Sequence, residues 1–291
     1  MIKLIALGMN GVSDAKFAVH CFRAGITPTF SVFMSGDNMD KIGAELKYYN
    51  DRIGNCDSLI VSGTYIEIAM MIKSGLISKY KIEHIEFIPE TQDQVGYELM
   101  DKLKQYGFIV YYKTQNTTQY ERLYNLPSYV ILKGSDGAGA VSDTSLSKLI
   151  DFYSHKVPFI VSGGISTSEQ VSYYMGLGAS AIGIGTLFAF SKESGLDQNI
   201  KEKMCQESSK NLYKFDRGNN MKLNSIRFSD VVYPNFTNKF FSKGDVLNRS
   251  PSLYTGIQSK GKDGHIFAGV GIDNITEILS LTEIAKRLRN E

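Results

Sequence analysis

Eight short runs of β-branched and aromatic residues punctuate the first two thirds of the chain. They are IKLIAL from Ile2, TFSVFM from Thr29, SLIVS from Ser58, IEFI from Ile85, FIVYY from Phe108, YVILK from Tyr129, VPFIVS from Val157 and SAIGIG from Ser180. Each is largely apolar on both faces, as a parallel strand is when helices cover one side and a core fills the other. Between the runs the pattern predicts helices over Asp14–Arg23, Asp37–Ile53, Glu67–Lys73, Thr91–Tyr106, Thr118–Tyr124, Ser145–Tyr153 and Ser168–Leu177. Gly107 is placed as a C-terminal stop. Ser166, Thr167 and Ser168 offer N-caps, with Glu169 three residues after Ser166 as in a capping box. Strand alternating with helix calls for a parallel sheet, and eight such units favour closure into a (β/α)8 TIM barrel. An open doubly wound sheet is the competitor. It loses ground because the first strand runs into GMNGVS rather than a dinucleotide fingerprint.

The pattern changes after Phe190. We expect a barrel core over 1–190 and a helical or irregular extension near the mouth over 191–274. A terminal amphipathic helix over 275–291 then packs on the barrel. The extension reads as a lid or as an oligomer contact, which would make a homodimer.

Two glycine-rich strand ends carry the functional argument. The seventh run ends in Ser162-Gly163-Gly164-Ile165, and the eighth in Gly183-Ile184-Gly185-Thr186. Adjacent glycines after a buried strand expose backbone N–H groups and leave room for a bulky anion. A helix start just beyond adds partial positive charge. In a barrel these loops are neighbours at the C-terminal face, where phosphate groups are commonly held. Thr186 would add a hydroxyl donor. The alternative is that these glycines serve only tight turns and close packing. Sugar-phosphate enzymes use the same corner, so the turns alone name no ligand.

Composition excludes more than it assigns. With 32 Lys and Arg against 30 Asp and Glu, a formal charge of +2 asks for no nucleic-acid or anionic-membrane partner. Cys21, Cys56 and Cys205 are few, scattered and without metal-ligand spacing, so neither a disulfide framework nor a metal site is expected. The first residues lack a signal-peptide pattern, and no window reaches the ~20 apolar residues of a membrane span. A cytoplasmic protein is expected.

The segment VPFIVSGGISTSEQVSYYMGLGASAIGIGTLFAF resembles the phosphate-binding region of the nitronate monooxygenases, whose superfamily includes FMN-dependent enoyl-acyl-carrier-protein reductases. GMNGVS, with Met9, Asn10 and Gly11, is similar to the family's first loop, which packs beside the isoalloxazine ring. Ala24-Gly25 resembles the pair after its first helix. Lys133-Gly134-Ser135-Asp136-Gly137-Ala138-Gly139-Ala140 falls where the family has a glutamine, a glycine, an acidic residue, small residues and then a histidine. KGKDGHIFAGVGIDNITEILSLTEIAKRL resembles the closing segment. The resemblance is weak over 32–107 and 205–261.

It implies FMN as cofactor. Met9, Asn10, Gly11, Lys133 and Gly134 would lie about the ring, with Ser162, Gly163, Gly164, Gly183, Gly185 and Thr186 about the phosphate. The family's catalytic histidine maps to Ala140, which cannot accept a proton. Of the four histidines, His20 falls in the first helix, His84 and His155 near the bottom face, and only His265 in a loop that could approach the mouth. The catalytic candidates are therefore Lys133, Asp136 and His265. Lys133 beside a flavin would favour the anionic reduced ring or bind an acidic substrate; the plain alternative is a salt bridge with Asp136 or another carboxylate at the strand end. Asp136 would be a weak acid–base substitute if partly buried, or would orient loops by accepting N–H groups. Ser62-Gly63-Thr64, Glu90-Thr91-Gln92, Tyr111, Tyr112 and the aromatic run in 228–241 are candidates for lining the mouth.

Three functions follow from these readings. The first is an FMN-dependent oxidoreductase resembling nitronate monooxygenase, or its enoyl-reductase-like relative, acting on a small or acyl substrate. The second is a flavin-binding protein that has lost its chemistry. The third is a phosphate-binding isomerase or aldolase with Lys133 as Schiff-base lysine.

Overall fold

The computed structural model describes residues 2–32, 38–88, 94–118, 127–218, 221–228 and 256–291. The eight predicted runs form β1 (Leu4–Ala6), β2 (Thr29–Ser31), β3 (Ile60–Gly63), β4 (His84–Phe87), β5 (Ile109–Thr114), β6 (Tyr129–Lys133), β8 (Phe159–Ser162) and β9 (Ala181–Ile184). A short strand between the last three, β7 (Gly139–Ser142), lies outside this set. The eight are parallel neighbours in the order β1-β9-β8-β6-β5-β4-β3-β2. A parallel bridge between Ile5 and Thr27 closes the ring. Ala6 N–H donates to Thr27 O at 2.9 Å and Thr27 N–H to Leu4 O at 2.9 Å. This is the (β/α)8 barrel, and its closure removes the doubly wound alternative.

The strand period of two sorts the side chains. Ile5, Leu7, Ile60, Tyr111, Ile131, Ile160 and Ala181 fill the barrel interior. Their sequence neighbours pack outward against the helices, in one cluster around β1, β6, β8 and β9 and a second around β2 to β5. The described helices sit close to the predicted spans: Ala15–Arg23, Met39–Ile53, Tyr65–Lys73, Gln94–Gln105, Leu146–Tyr153 and Ser168–Gly176. Gly107 has the left-handed φ (88°) expected of a helix stop. One cap is displaced by a residue. Thr167 caps the helix after β8 and Gln170 completes the box, rather than Ser166 and Glu169. The predicted helix over 118–124 falls mostly outside the described residues.

After β9 and the short helix Thr186–Ala189, the chain leaves the barrel and returns only with the helix Leu281–Arg289. The Arg289 side chain donates to Ile2 O at 3.2 Å and Gly25 O at 2.6 Å, tying this helix to the first unit. The intervening segment contains the helix Gln198–Met204 and three strands that a helical or irregular reading did not anticipate. These are β10 (Tyr213–Gly218), β11 (Met221–Arg227) and β12 (His265–Phe267). β10 pairs antiparallel along one edge of β11; β7 and β12 pair end to end along the other. Since β7 lies in the connection leaving β6, this small sheet rises from the C-terminal face. No described helix is long and apolar enough to cross a membrane.

Candidate active site at the barrel mouth

The two glycine turns lie side by side, with Ser162 opposite Gly183 in the β8–β9 register. Gly163 and Gly164 have φ of 96° and 80°, a region that penalises any side chain. Space adds a second reason. A Cβ on Gly163 would lie 3.0 Å from Gly134 O, and one on Gly164 would lie 2.8 Å from the Asp136 Cβ and 2.9 Å from Val270. The connections after β6 and β8 and the 269–271 loop are therefore locked together. Gly185 differs, because its Cβ would meet only the Met9 sulfur, at 3.9 Å. Met9 reaches there because its N–H donates to Ser13 Oγ at 2.9 Å, and that hydroxyl donates to Leu7 O. Asn10 is half-buried, and Gly11 (φ 83°) lies beneath Ile257, leaving no room for a Cβ. Thr186 Oγ1 accepts the Gly269 N–H at 3.1 Å, which leaves its own proton to donate.

Lys133 ends β6 facing inward. Its ammonium donates to Ala138 O at 2.6 Å and Ala140 O at 2.8 Å, rather than pairing with Asp136. Burial, then the charge of Lys113, lowers its pKa to about 7, against a smaller opposing pull from Glu86. Asp136 is exposed, so the burial that would make it an acid–base group is lacking; its backbone carbonyl accepts Val270 N–H at 3.0 Å. His265 is buried in β12 opposite Arg227, and burial and that charge push its pKa down to about 4. Along β11 it sits three residues beyond the Asn224–Gly139 pair, about 10 Å by strand rise, so it does not join Lys133 at the turn.

Residues 32–291 match the nitronate monooxygenase family. The chain belongs to that family. Among solved structures, FabK from Thermotoga maritima is 17% identical with a TM-score of 0.78, over 99% of this chain and 90% of that one. Nitroalkane oxidase from Streptomyces ansochromogenes is 16% identical with a TM-score of 0.74, over 100% and 95%. At these identities the likeness is one of fold. Two curated relatives match in part. Thiazole synthase of Bacillus velezensis is 30% identical over 47% of this chain and 54% of its own length. A putative nitronate monooxygenase of Saccharomyces cerevisiae is 26% identical over 42% of this chain and 30% of its own. The chain thus aligns with about half or less of each.

Ala140, to which the sequence resemblance maps the family histidine, lies in β7 opposite Leu223. What this residue offers the site is its carbonyl, already held by Lys133. The sequence reading missed three residues here. Glu86 on β4 and Lys113 on β5 form an ion pair inside the barrel, with Glu86 fully buried. Asn224 on β11 donates to Ser135 O at 2.9 Å and Gly137 O at 2.8 Å, which pins the connection after β6. Counting alternate residues from Ile109 would have turned Lys113 inward. No local signal marked Asn224. Of the other candidates, Ser62 faces inward on β3 and Thr64 caps the next helix with Glu67. Tyr111 stacks low in the barrel, its hydroxyl 2.8 Å from His84 Nδ1, while Tyr112 packs outward near Tyr97. Glu90, Thr91, Gln92 and residues 229–241 lie outside the described residues.

The site fits FMN on its own geometry. The Gly163–Gly164 and Gly185 turns offer backbone without side chains, as a phosphate monoester requires. On the far side of the barrel, the hydroxyls of Thr29, Ser31 and Ser62 are buried without a hydrogen-bond partner among the described residues. Polar atoms left so in a native core call for a ligand or water.

Proposed function

We propose that this protein is an FMN-dependent reductase of activated, enoyl-type double bonds rather than an oxidase that works through a histidine base. One observation carries the choice: where the family resemblance places a base, this chain has Ala140, and the group that reaches it is the Lys133 ammonium. A cation polarises a carbonyl and supplies a proton; proton abstraction from a nitroalkane needs the opposite.

FMN would be held by its phosphate at Gly163, Gly164, Gly185 and Thr186, with Met9, Asn10, Gly11, Lys133 and Gly134 about the ring. Bound there, it supplies hydride exchange at N5. Lys133, with its pKa lowered to about 7, carries a proton that it gives up readily near neutral pH, as a general acid must. Its two carbonyl acceptors fix the ammonium and leave the third N–H for substrate. Asp136 and His265 stay outside the chemistry and hold the loops.

The test is a visible spectrum of the purified protein, followed by turnover assays. FMN recovered near one per chain, with reduced-nicotinamide-dependent saturation of crotonoyl thioester or crotonate and no oxygen uptake with a nitronate, supports the reading. A flavoprotein that oxidises nitronates and ignores enoyl compounds overturns the choice of reaction. A colourless protein that does not take up added FMN overturns the cofactor and returns the glycine turns to a phosphorylated substrate.

A further inference from the structure

The barrel interior below the mouth carries inward-facing charges in an odd count, on β4, β5 and β6. Ser31, Ser62 and Glu86 are lateral neighbours in the registers of β2, β3 and β4. Glu86 pairs with Lys113, and Lys133 on β6 is close enough to feel that lysine's charge. Two ammonium groups thus face one carboxylate. Among the described residues no second anion joins them: Asp136 is exposed, and Lys133 is satisfied only by carbonyls. The Lys113 side chain keeps 11% of its exposure and Lys133 is partly buried, whereas Glu86 is sealed. A surplus buried charge is costly unless something compensates it. The three unpartnered hydroxyls of Thr29, Ser31 and Ser62 belong to the same interior and can all donate.

We infer that this inward-facing charged group is a carboxylate subsite, and that the substrate is a free α,β-unsaturated acid presenting its carboxylate to Lys113 and Lys133. The inference rests on the reductase reading and specifies its substrate class. A carboxylate conjugated to an alkene resists hydride addition because it carries negative charge already. One unbalanced cation removes that obstacle, which a thioester substrate would not need. In the net reaction the alkene gains a hydride at the β-carbon and a proton at the α-carbon. A reduced nicotinamide is oxidised, and the carboxylate is unchanged.

Calorimetric titration of the purified holoprotein with crotonate and with crotonamide tests this. Crotonate should bind at least tenfold more tightly. Lys133→Met should abolish that preference, and Lys133→Arg should keep most of it. Glu86→Gln should strengthen crotonate binding severalfold and leave crotonamide unchanged, which a merely structural Glu86 would not do. Crotonate affinity should also fall as pH rises through 7. Lys133 then loses its proton, while Glu86 and Lys113, from β4 and β5, and the neutral Ser162, from β8, are the groups around it. Equal binding of crotonate and crotonamide, or equal weakening of both by Lys133→Met with no change in Glu86→Gln, overturns the subsite. A flavoprotein that reduces crotonoyl thioester yet shows no preference for crotonate leaves the reductase reading standing and removes only this inference. A preference for crotonate in a protein without flavin keeps the carboxylate subsite and removes the reductase reading, and with it the unsaturated-acid substrate.

Discussion

The two sides of the barrel mouth are built on opposite principles. At β8 and β9 the chain removes side chains: Gly163, Gly164, Gly183 and Gly185 leave backbone alone. At β4, β5 and β6 it turns charge inward, with Glu86, Lys113 and Lys133 stepping toward the mouth strand by strand. The first side suits a constant group, since a phosphate monoester is the same whatever the reaction. The second side is where one family member can differ from another, because changing a single inward side chain there changes the charge a substrate meets. On the proposed reading, cofactor binding and substrate chemistry are therefore carried by different strands.

The largest effect expected lies on the charged side. Lys113→Met breaks the buried ion pair and leaves Glu86 only the Lys133 ammonium, which makes no direct contact with it, and the loss should be about 3 kcal/mol. Replacing both, as Glu86→Gln with Lys113→Met, should recover most of that loss. Chemical denaturation of the two variants decides the matter. A small effect of Lys113→Met alone would mean that the pair is solvated and that the two sides of the mouth are not so different.

On the glycine side the expected penalty comes from geometry instead. Gly164→Ala puts a Cβ at φ 80° and within 3 Å of the Asp136 and Val270 side chains. Strain and overpacking together should cost about 3 kcal/mol and lower the flavin recovered per chain. A variant with full stability and full flavin content would show that the turn yields easily and is no tight cradle.

This contrast also governs what could be read from sequence. A glycine pair after an apolar run announces itself locally, so the β8 and β9 turns, the eight barrel strands and the helix stop at Gly107 were all legible. Glu86 and Lys113 were not. Each is a lone charged residue in an apolar run, 27 positions apart by their numbers, and they meet only because β4 and β5 pair. Lys133 was visible as a candidate because the family resemblance pointed to its position, but its bonds to Ala138 and Ala140 depend on β7, a strand outside the predicted eight. β7 in turn depends on β11, about 80 residues further on. A segment rich in lysine and asparagine gives no strong strand pattern, and pairing with a distant edge decides its conformation.

Asn224 joins the two sides, since its amide holds the connection that carries Gly134, Asp136 and Gly137 between them. Asn224→Ala removes two hydrogen bonds and leaves the Ser135 and Gly137 carbonyls unsatisfied. It should cost about 2 kcal/mol. It should also loosen Lys133, whose acceptors Ala138 and Ala140 lie in the same connection. Stability measured beside the pH dependence of turnover separates the effects. An unchanged pH profile in a destabilised variant would show that the charged side stands independently of the extension.

The smallest effect sharpens the comparison most. Thr186→Val keeps the shape of the side chain and removes the acceptor for the Gly269 N–H, at 3.1 Å. The structural cost should be about 1 kcal/mol, that of one hydrogen bond. If Thr186 also donates to the FMN phosphate, flavin affinity should fall by roughly tenfold as well, the equivalent of a second bond of that size. Stability from denaturation and affinity from flavin titration read these two losses separately. A fall in stability with unchanged affinity would leave phosphate binding to the glycine backbone alone, and the division between a side built from main chain and a side built from charge would then be complete.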